Sequence, residues 1–131
     1  MKKRISILIT SKPIKRQSYS TVGDYTYFPV PNGFSSEIWT TEMENIDHSW
    51  LIAIHEVIES YLCFKKGLTD EEITKFDVDN LDLIEPGKSK KAPYHKEHAI
   101  ATKIEKELAR ILKVNWKEYD KAMVKELKLY K

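Results

Sequence analysis

His55-Glu56-Val57-Ile58-Glu59 sets an imidazole and two carboxylates within little more than one helical turn, a combination of side chains that binds divalent metals. At ~100° per residue, His55 and Glu59 project about 40° apart and one turn apart along the axis, so both reach one ion while Glu56 stands to the side. In the H-E-x-x-H zinc helix the first and fifth residues are ligands and the glutamate polarises a water. Here the fifth residue is a carboxylate, and a mixed oxygen and imidazole set suits one zinc ion, with manganese or iron as alternatives. The competing readings are solvated helix carboxylates or a buried hydrogen-bonded cluster. The neighbours weigh against solvation: Trp50 to Phe64 is apolar on nearly every face, and ionisable groups in such a helix need partners or a metal.

A second group of chemistry-bearing residues, Tyr94-His95-Lys96-Glu97-His98, opens another helical segment. On a helical wheel Tyr94, Ala101, Ile104, Leu108, Ile111 and Leu112 form an apolar stripe, opposite Lys103, Lys106, Arg110 and Lys113. Glu97 falls near the centre of the stripe, His98 on its margin, and His95 toward the basic side. A carboxylate facing a core needs compensation, which a metal held by His55 and Glu59 would supply; otherwise Glu97 serves only to favour the helix N-terminus. His98 is the preferred third ligand because imidazole is the commoner zinc donor. Glu97 is the alternative, with the non-ligand of the two orienting the other, and His95 and Asp77 are further candidates for the ligand set or its supporting layer. His48 reads as a helix-start or packing histidine.

The elements that must position these groups are punctuated clearly. The first 44 residues are rich in β-branched and aromatic side chains broken by Pro13, Gly23, Pro29, Pro31 and Asn32-Gly33, which predicts strands near 4–11, 17–28 and 35–42. Asn32-Gly33 is a hairpin signal, so the second and third strands pair antiparallel, and the mixed faces of 36–41 suit an edge strand. The motif helix starts at Asn45 to Asp47 and stops at Lys65-Lys66-Gly67. Thr69 to Glu72 is a capping box for a short helix to about Phe76, followed by a polar loop over 77–92. A long helix from Pro93 to about Leu112 and a last one after Asn115, with Trp116, Tyr119, Met123 and Leu127 on one face, complete the chain. The fold class is α+β: a small antiparallel sheet against three main helices and one short one.

The 131 residues suit a single domain. Lys and Arg number 22 against 20 Asp and Glu, a formal charge of +2 that reads as small and dispersed and makes no strong case for nucleic acid. The lone Cys63 excludes a disulfide framework and suits a buried thiol in a cytoplasmic protein. The apolar stretch after Lys2-Lys3-Arg4 is too short for a signal peptide and reads as a strand, and no run approaches the ~20 apolar residues of a membrane span. Oligomeric state is open.

Strands with an edge, then an H-E-x-x-E helix, then a helix donating a further ligand: this order resembles a minimal zincin-type metallopeptidase. The resemblance implies that His55 and Glu59 are ligands, that Glu56 is the general base and that the edge strand aligns a peptide or protein substrate; Glu59 departs from the usual histidine. Arg16-Gln17-Ser18-Tyr19, Gly23-Asp24-Tyr25, Ile54-His55-Glu56, Phe76-Asp77 and Pro93 through His98 also resemble small uncharacterised phage and prophage proteins, which would place the chain in a host cytoplasm. The leading expectation is a peptidase-like metal-dependent hydrolase with His55, Glu59 and His98 around the ion. The alternatives are a non-enzymatic phage-type interaction protein with a structural metal or polar cluster, and a two-metal carboxylate site using Glu56, Glu59 and Glu97 with the histidines on phosphate esters.

Overall fold

The computed structural model describes residues 1–130. Strands β1 (Arg4–Lys12), β2 (Gly23–Val30) and β3 (Gly33–Thr41) precede helices α1 (Ile46–Lys66), α2 (Asp70–Asp79), α3 (His95–Ile111) and α4 (Trp116–Leu129), with single 3-10 turns at Ile14–Arg16 and Pro86–Lys88. The architecture is α+β, a three-stranded sheet packed against four helices.

The sheet is mixed rather than wholly antiparallel. Its order is β1-β3-β2: β2 and β3 form the expected hairpin, with Val30 opposite Gly33, and β1 joins β3 in parallel, Arg4 opposite Gly33 through Lys12 opposite Thr41. The hairpin loop is Pro31-Asn32, and Gly33 is already in the strand. The expectation that 36–41 is an edge is therefore overturned: β3 is the central strand. Its small hydroxyl residues imitate an edge pattern, but Ser36, Thr40 and Thr41 are buried with Ile38, and Thr41 is held by Gln17 Nε2 at 3.2 Å while its own hydroxyl donates to the Val22 carbonyl at 2.7 Å. Those contacts also keep 17–22 out of β2, which begins at Gly23 rather than near residue 17.

The helix signals hold closely. Asn45 accepts from the Asp47 N–H, and Gly67, at φ 88°, closes α1 in the left-handed conformation that glycine adopts without a Cβ penalty. The Thr69/Glu72 capping box opens α2, which continues to Asp79 and so carries Asp77 on the helix rather than after it. Pro93 lies two residues before α3, whose cap is Tyr94. On α3 the buried side is Glu97, Ala101, Glu105 and Ala109, a stripe at i, i+4 spacing, whereas Ile104 and Ile111 are exposed. The small alanines let α3 lie close along α1, and that proximity brings the two polar groups together. Tyr25, Tyr27, Phe34, Ile38 and Cys63 form one core cluster, and Leu51, Ile52, Ala109 and Tyr119 a second.

Candidate metal centre

α1 directs His55 and Glu59 toward α3, and α3 directs His98 back, as their helical spacing demands. His55 Nε2, Glu59 Oε1 and His98 Nδ1 converge: His98 to Glu59 is 2.8 Å, His55 to Glu59 3.3 Å and His55 to His98 3.2 Å. Tetrahedral zinc with bonds of ~2.0–2.1 Å would need donors about 3.3 Å apart, and the three separations lie close to that value. The donor set therefore fits one divalent ion with little rearrangement.

Each imidazole has a carboxylate behind it. His55 Nδ1–H donates to Glu105 Oε1 at 2.8 Å, which fixes the tautomer that leaves Nε2 free to ligate, and the Tyr119 hydroxyl donates to Glu105 Oε2 at 2.5 Å. His98 Nε2 is buried without a hydrogen-bond partner, 3.6 Å from Glu85 Oε1. The His98 imidazole and the Lys88 ammonium together hold the Glu85 carboxyl down at about 2. Burial resists ionisation of Glu59, yet its hydrogen bonds to His55 and His98 draw its carboxyl to about 2. Burial would likewise keep both histidines neutral, but Glu105 and Glu59 raise His55, and Glu59 and Glu85 raise His98. The cluster calls for positive charge at its centre, as protons or as a metal ion.

The remaining candidates are directed elsewhere. His95 Nδ1 donates to the Gly87 carbonyl at 3.0 Å, and Glu97 is paired with Lys66 Nζ at 3.3 Å. His48 packs at a tilt against Tyr119, ring centroids 5.2 Å apart, in keeping with a packing role. Asp77 accepts hydroxyls from Tyr19 at 2.9 Å and from Tyr94. It shares with Glu56 and Asp24 the wall of a cavity of about 190 Å³, onto which His55, Glu59 and His98 also open. Burial raises Asp24 and Asp77 to about 6, and burial followed by the Glu59 charge raises Glu56 well above the carboxylate range. Leu81, Leu83, Ile84 and Trp116 supply apolar lining.

No protein-family model, curated protein or solved structure matches this chain. What the centre can do rests on its own geometry.

Several contributors were not singled out from sequence. Glu105 lies two turns beyond His98, and that i, i+7 relation was the available signal; the exposed-looking charge density of α3 hid it. Tyr119 was placed on an apolar face without its hydroxyl role. Two glycines matter by close approach. A Cβ on Gly87 would overlap the His98 ring, and one on Gly23 would lie 2.6 Å from Ile52 Cγ2 and 2.8 Å from Glu56 Oε1. Gly87→Ala should push His98 out of register and weaken metal affinity by at least about tenfold, the scale of other changes behind a ligand, with little loss of helix content. Titration against a competing chelator, with circular dichroism alongside, measures both.

Proposed function

We propose that the protein is a metal-dependent hydrolase acting on a small substrate or on the end of a longer chain. The observation that carries this reading is the combination of three converging donor side chains, the cavity they line, and a carboxylate on its wall, Glu56, with no hydrogen-bond partner among the described residues. Structural zinc is closed by four protein ligands, whereas catalytic zinc keeps a position free. His55, Glu59 and His98 would hold a divalent ion, which when bound would supply Lewis acidity and lower the pKa of a water.

Glu56 then serves as general base. Burial and the Glu59 charge raise its carboxyl well above the usual carboxylate range, and a nearby cation would favour its charged form, which a base needs. Tyr19 and Tyr94 are committed to Asp77, so they order the cavity wall rather than the reacting atoms. The apolar side chains keep bulk water from the carbonyl under attack. The cavity is smaller than the ~300–1,000 Å³ of drug-sized sites, and no residue of β3 lines it, so an extended peptide along 36–41 is not the expected substrate.

The two-metal phosphoesterase reading loses Glu97 to Lys66, and the cavity's cations are engaged: Lys88 pairs with Glu85 and Lys106 lies over Trp116. Nothing there favours a phosphate.

The test compares native protein and Glu56→Gln, both loaded with zinc, on a panel of aminoacyl anilides and simple activated esters. The expected result is turnover by the native protein and a loss of about 10²–10⁴-fold in Glu56→Gln at equal metal content. Absence of turnover across the panel, or full activity in Glu56→Gln, would reject the hydrolase and leave a structural metal in an interaction protein.

A further inference from the structure

β1 is one of the two edges of the sheet, and nothing among the described residues covers it. Eight of its nine residues are exposed, including Ile5 at 64%, Leu8 at 60%, Ile9 at 40% and Ile7 at 36%. α1 packs across β2 and β3 but not over β1. Because side chains alternate along a strand, Ile5, Ile7 and Ile9 project from the face that α1 covers elsewhere, and Leu8 from the opposite one. An apolar edge strand of this length is a template for pairing, and proteins ordinarily blunt such edges.

The main chain shows which groups are available. Arg4 N–H donates to the Asn32 carbonyl at 2.8 Å, and the Lys12 carbonyl accepts from Glu42 N–H at 2.9 Å. Even-numbered residues of β1 therefore bond to β3, and by alternation Ile5, Ile7, Ile9 and Ser11 turn their N–H and C=O groups off the sheet.

Charge decides what kind of strand fits there. The balanced total conceals a segregation: Lys2, Lys3, Arg4, Lys12, Lys15 and Arg16 are the only charged residues before Asp24, so the excess is not dispersed as the bulk count suggests. None of the six forms an ion pair among the described residues. Lys2 to Arg4 flank one end of β1 and Lys12 the other. A second copy of β1 would set like charges together in either orientation. A membrane surface would engage the aliphatics of one face only, and a nucleic acid would leave them without partners.

We propose that β1 binds an acidic peptide segment of a partner protein in extended form, as a fourth strand held by the outward main-chain groups of Ile5, Ile7, Ile9 and Ser11. This surface is separate from the candidate metal centre: no residue of β1 lines the cavity.

The test uses fluorescent probes of alternating valine and threonine with a pair of glutamates at each end. The native protein should bind this probe at least about tenfold more tightly than the same core with lysine ends, and raising salt from about 0.05 to 0.5 M should weaken it. Methylating alternate probe nitrogens should abolish binding. Ile7→Pro removes one outward N–H without touching the β1–β3 ladder, so it should lose at least about tenfold in affinity while keeping zinc uptake and melting behaviour. Ile9→Pro is the second such variant, and the methylated probe needs no protein variant at all. Equal binding of both probe charges, failure of both to bind, or undiminished binding by the methylated probe would overturn the proposal. So would uptake by phosphatidylserine vesicles or duplex DNA that Ile7→Pro leaves unchanged.

Discussion

Stripping the divalent ion should lower the melting temperature by on the order of 10–20 °C when the reference is saturated about a thousandfold above its dissociation constant, since linkage then contributes about 4 kcal/mol. His55→Ala should eliminate that response completely. It removes a candidate ligand atom, and it also takes from the buried Glu105 carboxylate its 2.8 Å imidazole donor, leaving it only the Tyr119 hydroxyl. Leaving such a charge without its partner costs roughly 3–5 kcal/mol, so the variant should melt well below even the stripped native protein. His98→Asn, which leaves the Glu105–His55 contact intact, should lose metal with a smaller cost to the stripped form. Scanning calorimetry with and without chelator separates the two contributions; equal melting of loaded and stripped native protein would dismiss the metal.

The same experiment has a definite pH dependence. His55 and His98 are raised in the folded, metal-free protein, so protons stabilise that form below the unfolded histidine value of ~6.5, and this stabilisation is lost as pH rises through the folded values. Metal binding must displace those protons, so its affinity grows in the same direction. The gap between loaded and stripped melting temperatures should therefore widen with rising pH. Glu59, held at about 2, stays ionised throughout and does not reverse the trend.

The converging trio was legible because part of its geometry is local: His55 and Glu59 are one turn apart on one helix, and His98 lies on the other helix that opens with a His/Glu cluster. The supporting layer was not, because it depends on how α3 and α4 lie against α1. Glu105 looks like any surface glutamate in a basic helix until Ala101 and Ala109, either side of it, bring that face against α1. Glu97 illustrates the converse, a carboxylate correctly read as inward-facing but neutralised by Lys66 from the neighbouring helix. In the sheet, the turn and the antiparallel hairpin were readable from Pro31-Asn32-Gly33. The parallel return of β1 was not, since strand order is set by which strand α1 covers. The serines and threonines of β3 are as compatible with a solvated edge as with a centre strand under a close-packed helix.

Gly33 is where that topology meets the sequence most directly, and Gly33→Ala should be the most destabilising single-methyl addition in the protein. The residue was flagged as a turn glycine; its φ of 154° and its neighbours give it a different task. It stands opposite Val30 on one side and Arg4 on the other, where all three strands meet. A Cβ there would overlap the carbonyl oxygen of Arg4 and press on the Arg4 nitrogen at 2.9 Å. These are backbone atoms, and Arg4 N–H is bonded to the Asn32 carbonyl at 2.8 Å, so β1 cannot retreat without losing the first link of its ladder. Strained backbone and lost pairing together should cost about 3 kcal/mol or more, seen as a fall in the urea midpoint. Because the clash falls on β1, hydrogen exchange should increase first among the amides that bond β1 to β3, while α1 and α3 keep their protection. Uniform exchange across sheet and helices would mean that the β1–β3 pairing unfolds only with the whole molecule.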